Sequence, residues 1–200
     1  MTIKKSAISC HINTILFDMV GVLLFQKDTH KPRTINEINA DNIEKLYNHV
    51  DDLLLIKDVK KKLYLTDKQI EDAFPYIPEK FEKFNELWEM LPKLKKYFRL
   101  AIVNNGNHIA WKYWRQRFDY SIFEFFVNSA QEKTKKPYPE LYLIACKKLG
   151  VDPKNCLFMD DNKENVETAR KLGMKVLWWD KNRGKQKNLK LFLDIISRFI

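Results

Sequence analysis

The feature that most constrains this chain is an apolar run that stops at a carboxylate. Ile15, Leu16 and Phe17 lead into Asp18, and Met19, Val20 and Gly21 follow. An unbroken apolar run this short reads as a strand buried on both faces, the kind found inside parallel sheets. A glycine three residues past its end signals a tight turn. Asp18 would then be held at the C-terminal end of a buried strand, where open α/β sheets place their ligand sites.

The rest of the chain repeats the theme. Apolar runs at 98–103, 123–127, 156–159 and 176–179 read as four further strands. Helical patterns separate them, carrying Ile109, Trp111, Trp114 and Phe118, then residues 139–149 stopped by Gly150, then 166–172 stopped by Gly173, and finally 189–199. Strands alternating with helices predict an α/β fold, a Rossmann-like three-layer core with a parallel sheet covered on both faces. The run at 98–103 ends in Asn104, Asn105, Gly106 and Asn107, and that at 156–159 ends in Asp160 and Asp161. These groups and Asp18 are thus expected at one edge of the sheet.

Between the first two strands the pattern is helical. Ile35, Ile38, Ile43, Leu46 and Val50 fall near helical spacing, with Asp41 as a candidate cap, and Phe81, Phe84, Leu87, Trp88 and Leu91 form a second stripe. Thr66 and Gln69 have the spacing of a capping box. No glycine lies between Gly21 and Gly106, and no strand alternation is evident. The expected organisation is a core of residues 1–27 and 92–200, with a small all-helical cap at 28–91 inserted after the first strand.

Three carboxylates meeting at Asp18, Asp160 and Asp161 would repel one another unless a cation or a shared proton intervened. Hard oxygen ligands with few neutral partners suit Mg²⁺. Lys136, before Pro137, is a candidate charge partner, while Asn104, Asn105 and the backbone at Gly106 offer neutral donors for phosphate oxygens. A carboxylate nucleophile, Mg²⁺, a lysine and amide donors together describe phosphoryl transfer through an aspartyl-phosphate.

These segments, in this order, resemble the four motifs of the haloacid dehalogenase-like hydrolase superfamily. The first is carried by Phe17, Asp18, Met19, Val20, Gly21 and Val22, and the second by Ile102 to Asn107. The third is carried by Lys135, Lys136, Pro137 and the residues after them, and the fourth by Met159, Asp160, Asp161, Asn162 and Asn165. The resemblance implies that Asp18 is nucleophile and metal ligand. It implies that Val20 offers only its backbone carbonyl to the metal, and that Asp160 and Asp161 hold Mg²⁺, Asp161 by direct contact. Lys136, or failing it Lys135, would neutralise the transferred group, and Asn104, Asn105 and Gly106 would bind phosphate. It also identifies the helical insertion as a cap over the site.

Two departures from the family pattern stand out. Val20 occupies the place of a general-acid aspartate, a loss worth about 10²–10⁴-fold in rate. Asn104 replaces a Ser or Thr. Asp28, His30 and His108 are candidate substitute acids. A dehalogenase needs no acid, but that branch lacks the paired carboxylates present here. The sequence therefore predicts a Mg²⁺-dependent phosphatase for a small phosphorylated metabolite; the alternative is a non-catalytic protein of the same fold that binds a ligand or a protein.

Composition limits other classes. The chain of 200 residues is 45% hydrophobic and 13% aromatic, enough for a sizeable core. Its net charge of +10 arises from 36 basic and 26 acidic residues, intermixed along the chain, so nucleic acid is not expected as a partner. Cys10, Cys146 and Cys156 lack metal or redox spacing. No signal-like start or membrane-length apolar run is evident, so a cytoplasmic location away from membranes is expected.

Overall fold

A computed structural model describes residues 11–28, 31–47 and 51–200. In chain order its elements are β1 (Thr14–Phe17), β2 (Leu24–Gln26), α1 (Ile35–Glu44), α2 (Asp52–Leu63), α3 (Asp67–Ala73), α4 (Tyr76–Glu79), β3 (Phe81–Lys83) and α5 (Asn85–Leu94). There follow β4 (Arg99–Asn104), α6 (Trp111–Arg117), β5 (Phe125–Asn128), α7 (Ser129–Glu132), α8 (Pro139–Leu149), β6 (Cys156–Asp160), α9 (Lys163–Lys171), β7 (Lys175–Trp178) and α10 (Lys185–Ile196). Cys10, His30 and Val50 lie outside the described residues.

Five strands form one parallel sheet in the order β5-β4-β1-β6-β7. The chain leaves β1 toward β4 and returns to its other side at β6, so the switch in strand order falls between β1 and β6. A crevice opens there at the C-terminal strand ends. Register sharpens the placement. Phe17 pairs with Met159 and with Ile102, and the Asp18 N–H donates to the Met159 carbonyl at 2.8 Å. Asp18 therefore lies beside Asp160, with Asn104 near the same edge.

Alternate residues of each strand feed two cores. Ile15, Phe17, Ile102 and Met159 face α5 and α10 through Leu87, Leu91, Leu189 and Phe192. Leu16, Val103 and Phe158 face α8 and α9 through Leu141, Tyr142, Ala145 and Ala169. Helices thus cover both sides of the sheet. Pro139 sits in the first turn of α8, where its missing N–H costs nothing, and Gly150 caps the helix at φ 62°.

The insertion departs from expectation in detail. Helices α1–α4 are bracketed by a two-stranded antiparallel ribbon, in which Leu24 pairs with Lys83 and Gln26 with Phe81. Strand β3 therefore interrupts a stretch that reads as entirely helical. Three residues are too few for periodicity to separate strand from helix. Pro92, where the sequence pattern changes, lies inside α5, and α5 packs on the sheet: Trp88 donates its indole N–H to the Leu23 carbonyl at 2.8 Å and sets its ring against Phe123. Asp41 is not a cap. Thr34 caps α1 in a capping box with Glu37, and Asp41 lies mid-helix, 2.8 Å from Lys80 Nζ. The Thr66–Gln69 capping box forms as expected. Among the described residues no helix is long and apolar enough to cross a membrane.

Candidate active site

At the switch point, Lys136 Nζ donates to Asp18 Oδ1 at 2.6 Å and to Asp160 Oδ2 at 2.7 Å. All three side chains are buried, Asp160 completely. Asp160 is fully engaged, since Oδ1 also accepts the Asn162 N–H at 2.8 Å and both oxygens lie 3.1 Å from Asn165 Nδ2. Asn162 caps α9, so the start of that helix and the end of β6 together hold this carboxylate rigid.

Asp161 is freer. It is partly exposed, and Lys181 reaches its Oδ2 at 3.0 Å from the rim. Its carbonyl accepts the Trp178 indole N–H at 3.0 Å, while Trp179 turns to the opposite face and is buried against Phe84. Gly21 approaches Asp161 at a positive φ of 98°, and a Cβ built there would lie 2.5 Å from Asp161 Oδ2. The glycine after the first strand thus makes the turn and leaves room for the carboxylate.

Asp18, Asp160 and Asp161 each offer an oxygen within 4.8 Å of the others. Burial and the neighbouring Asp160 push the Asp18 carboxyl up to about 7, against the pull of Lys136. Burial alone would depress the Lys136 ammonium, but Asp160 and Asp18 outweigh it and hold it above its ordinary value. One lysine buried with two buried aspartates, and a third carboxylate at the rim, is a site with an electrostatic deficit of cation. The donors are hard oxygens, and those of Asp18 and Asp161 carry few protein partners. The residues therefore fit a divalent cation such as Mg²⁺.

Residues from β4 complete the site. Asn104 Nδ2 folds across Gly106, where an added Cβ would come within 2.4 Å of it. Asn105 and Gly106 line the same cavity and also make bonds within the chain. The Asn105 amide pairs with Lys136, accepting its N–H and donating to its carbonyl, both at 2.8 Å. The Gly106 N–H donates to Ser129 Oγ at 3.0 Å. Asn105 thus clamps the lysine loop, whose Lys136–Pro137 peptide is cis, and Gly106 supplies space for Asn104.

A cavity of about 210 Å³ joins these groups, lined also by Val20, Glu44, Tyr47, Asn107 and Trp111. Of the candidate substitute acids, Asp28 lines a different recess, and His108 is exposed with its ring 3.0 Å from Gln131 and does not line this cavity. His30 lies outside the described residues. Glu44 and Tyr47, at the end of α1, were not singled out by the sequence, because spacing alone does not show which helix face meets the core.

A family model for haloacid dehalogenase-like hydrolases matches residues 12–173. The chain belongs to that family. It is 28% identical over 101 residues to N-acylneuraminate-9-phosphatase of Mus musculus, a match covering 48% of this chain and 40% of the relative. The chain thus spans less than half the length of that curated relative. Among solved structures, a HAD-like hydrolase of Porphyromonas gingivalis superposes with a TM-score of 0.67 at 23% identity, over 92% of this chain and 98% of that one. A HAD family enzyme of Bacteroides thetaiotaomicron, solved in complex with magnesium and inorganic phosphate, gives a TM-score of 0.65 at 22% identity, over 84% and 93% of the two chains. These likenesses establish the fold.

Proposed function

We propose that this HAD-like hydrolase is a Mg²⁺-dependent phosphatase of small phosphorylated metabolites, with Asp18 as its nucleophile. The observation that carries the reading is Lys136 bridging Asp18 and Asp160 at the switch point, with Asp161 alongside. A purely structural ion pair gains little from a third carboxylate at its edge, whereas a phosphoryl-transfer site needs a cation there. The phosphatase relative and the magnesium–phosphate complex of the Bacteroides enzyme support it.

Asp18 attacks phosphorus in line, forming an acyl phosphate as the bond to the leaving oxygen breaks. Water then attacks the same phosphorus, releasing phosphate and restoring the carboxylate. Lys136 neutralises Asp18 and the transferred group throughout. Asn104 donates to a phosphate oxygen. Asp18, Asp161 and the Val20 carbonyl would hold Mg²⁺, with Asp160 supporting them; the ion would offset the charge of the phosphoryl oxygens. The helices α1–α4 act as a cap that excludes water. Val20 supplies no proton to the leaving oxygen, so turnover of alkyl phosphate metabolites is slow, and activated aryl and acyl phosphates serve as faster probes of the site.

The test is phosphate release from para-nitrophenyl phosphate and acetyl phosphate, with Mg²⁺ or EDTA, for wild type and Asp18→Asn. Metal-dependent turnover lost in the variant is the expected result. No turnover on either substrate would favour the non-catalytic alternative, to which Val20 at the acid position is the observation that points.

A further inference from the structure

Two polar atoms in the cavity wall are buried and have no hydrogen-bond partner among the described residues: Tyr47 Oη and Asn107 Nδ2. They approach from opposite sides. Tyr47 stands on the turn after α1, its N–H bonded to the Glu44 carbonyl at 3.0 Å, and belongs to the cap. Asn107 belongs to the loop after β4. Its amide orientation is fixed, because Oδ1 accepts the Ala110 N–H at 2.6 Å at the start of α6 and the NH₂ group faces away. Both residues line the cavity that holds Asp18 and Lys136, and both line the recess that continues it beside Leu55 and Lys135.

A buried hydroxyl and amide that no described residue pairs, both facing one cavity, are groups that a bound molecule can satisfy. Burial pushes the Tyr47 phenol well above its usual range; the nearby Asn107 amide offsets part of that without closing a hydrogen bond. Tyr47 is thus a neutral O–H donor, and Asn107 adds an N–H donor beside it.

We propose that Tyr47 Oη and Asn107 Nδ2 form a specificity-determining subsite that takes one hydroxyl of the leaving group, so that the substrates are phosphorylated polyols or sugars. The proposal rests on the phosphatase reading and deepens it. A hydroxyl accepts from both donors. An anionic tail is disfavoured, because three aspartates lie across the same cavity against the single ammonium of Lys136. The phosphate itself would be served by Lys136 and Asn104 at the strand ends, which leaves Tyr47 and Asn107 for the remainder of the substrate.

The experiment is calorimetric binding in Mg²⁺ of two matched pairs, ribose 5-phosphate against pentyl phosphate and glycerol 3-phosphate against propyl phosphate. Wild type should bind the hydroxylated member about tenfold more tightly, the effect of one hydrogen bond to a group otherwise left unpaired. Tyr47→Phe should bring the preference to within about twofold. Because Tyr47 Oη makes no bond to a described residue, Tyr47→Phe should not lower Tm. No preference in wild type overturns the proposal. So does an equal loss for both members of a pair, which would mean a phosphate contact, or a fall in Tm with the preference intact, which would mean a structural hydroxyl. Binding requires no turnover, so failure of the phosphatase reading is seen separately in the para-nitrophenyl phosphate assay.

Discussion

The side-chain amide of Asn105 spans the backbone of Lys136, accepting its N–H and donating to its carbonyl, each at 2.8 Å. Thirty-one residues separate the two, and the pairing holds the loop from which Lys136 reaches Asp18. On the phosphatase reading, the Asn105 side chain would act on the chemistry through the position of Lys136.

Asn105→Ala should remove both bonds and loosen the ammonium from its two carboxylates. We expect kcat for para-nitrophenyl phosphate to fall at least about tenfold, since small displacements of a positioned group are costly. KM should change less, and urea unfolding should show about 1–3 kcal/mol of lost stability. Steady-state kinetics and urea melts check this; unchanged kcat would show that Lys136 holds its place without the clamp.

Gly21→Ala should damage the cation site. Its φ of 98° strains any L-residue, and the new Cβ would meet Asp161 Oδ2 at 2.5 Å. Gly173→Ala is the control: its φ is 88°, yet nothing lies within 4 Å of the added carbon. Both variants should lose Tm through backbone strain, of the order of 1–2 kcal/mol. In a thermal-shift titration, Gly21→Ala alone should move the Mg²⁺ midpoint upward, by about tenfold or more in concentration.

How far the sequence reaches can be judged residue by residue. Asp18, Asp160 and Asp161 were legible because each follows an apolar run, and parallel sheets bring their C-terminal strand ends together. Helix α8 was legible to the residue, from Pro139 at its start to the glycine beyond its end. The third strand was read too early, because Phe123 packs in the turn ahead of Phe125 and carries the same apolar signature. Asn105 and Gly106 resisted reading for another reason. Their partners within the chain, the Lys136 backbone and Ser129 Oγ, are distant in sequence, and no local pattern shows such pairings. Tyr47 and Glu44 depended on how the cap docks, which is tertiary information.

Stability without divalent cation should fall between pH 4 and pH 7. The Asp18 carboxyl sits at about 7 in the folded chain against 3.8 ordinarily, raised first by burial and then by Asp160. In that window the folded state keeps a proton that the unfolded state has released, so raising pH favours unfolding, by up to about 1.4 kcal/mol per pH unit. Above about pH 7 the trend should level off. Lys136, held above its ordinary value, stays charged throughout. Mg²⁺ competes with the Asp18 proton and should stabilise more at pH 8 than at pH 5. Urea melts in EDTA across the range, for wild type and Asp18→Asn, check the assignment; the slope should largely vanish in the variant.

Val20→Asp asks whether the missing proton limits the reaction. Val20 lines the cavity with Asp18 and Asp161, so a carboxyl there would stand beside the leaving oxygen. Turnover of glycerol 3-phosphate, whose alkoxide needs a proton to depart, should rise by about 10²-fold or more. Acetyl phosphate, which expels a stable carboxylate, should gain only a few-fold. The ratio of the two rates is the diagnostic quantity, because changes in cation or phosphate binding act on both substrates alike. The gain should carry a cost in EDTA. A fourth carboxylate would join three that are already crowded, lowering Tm until Mg²⁺ is restored. An unchanged ratio would mean that another group in the cavity already delivers the proton.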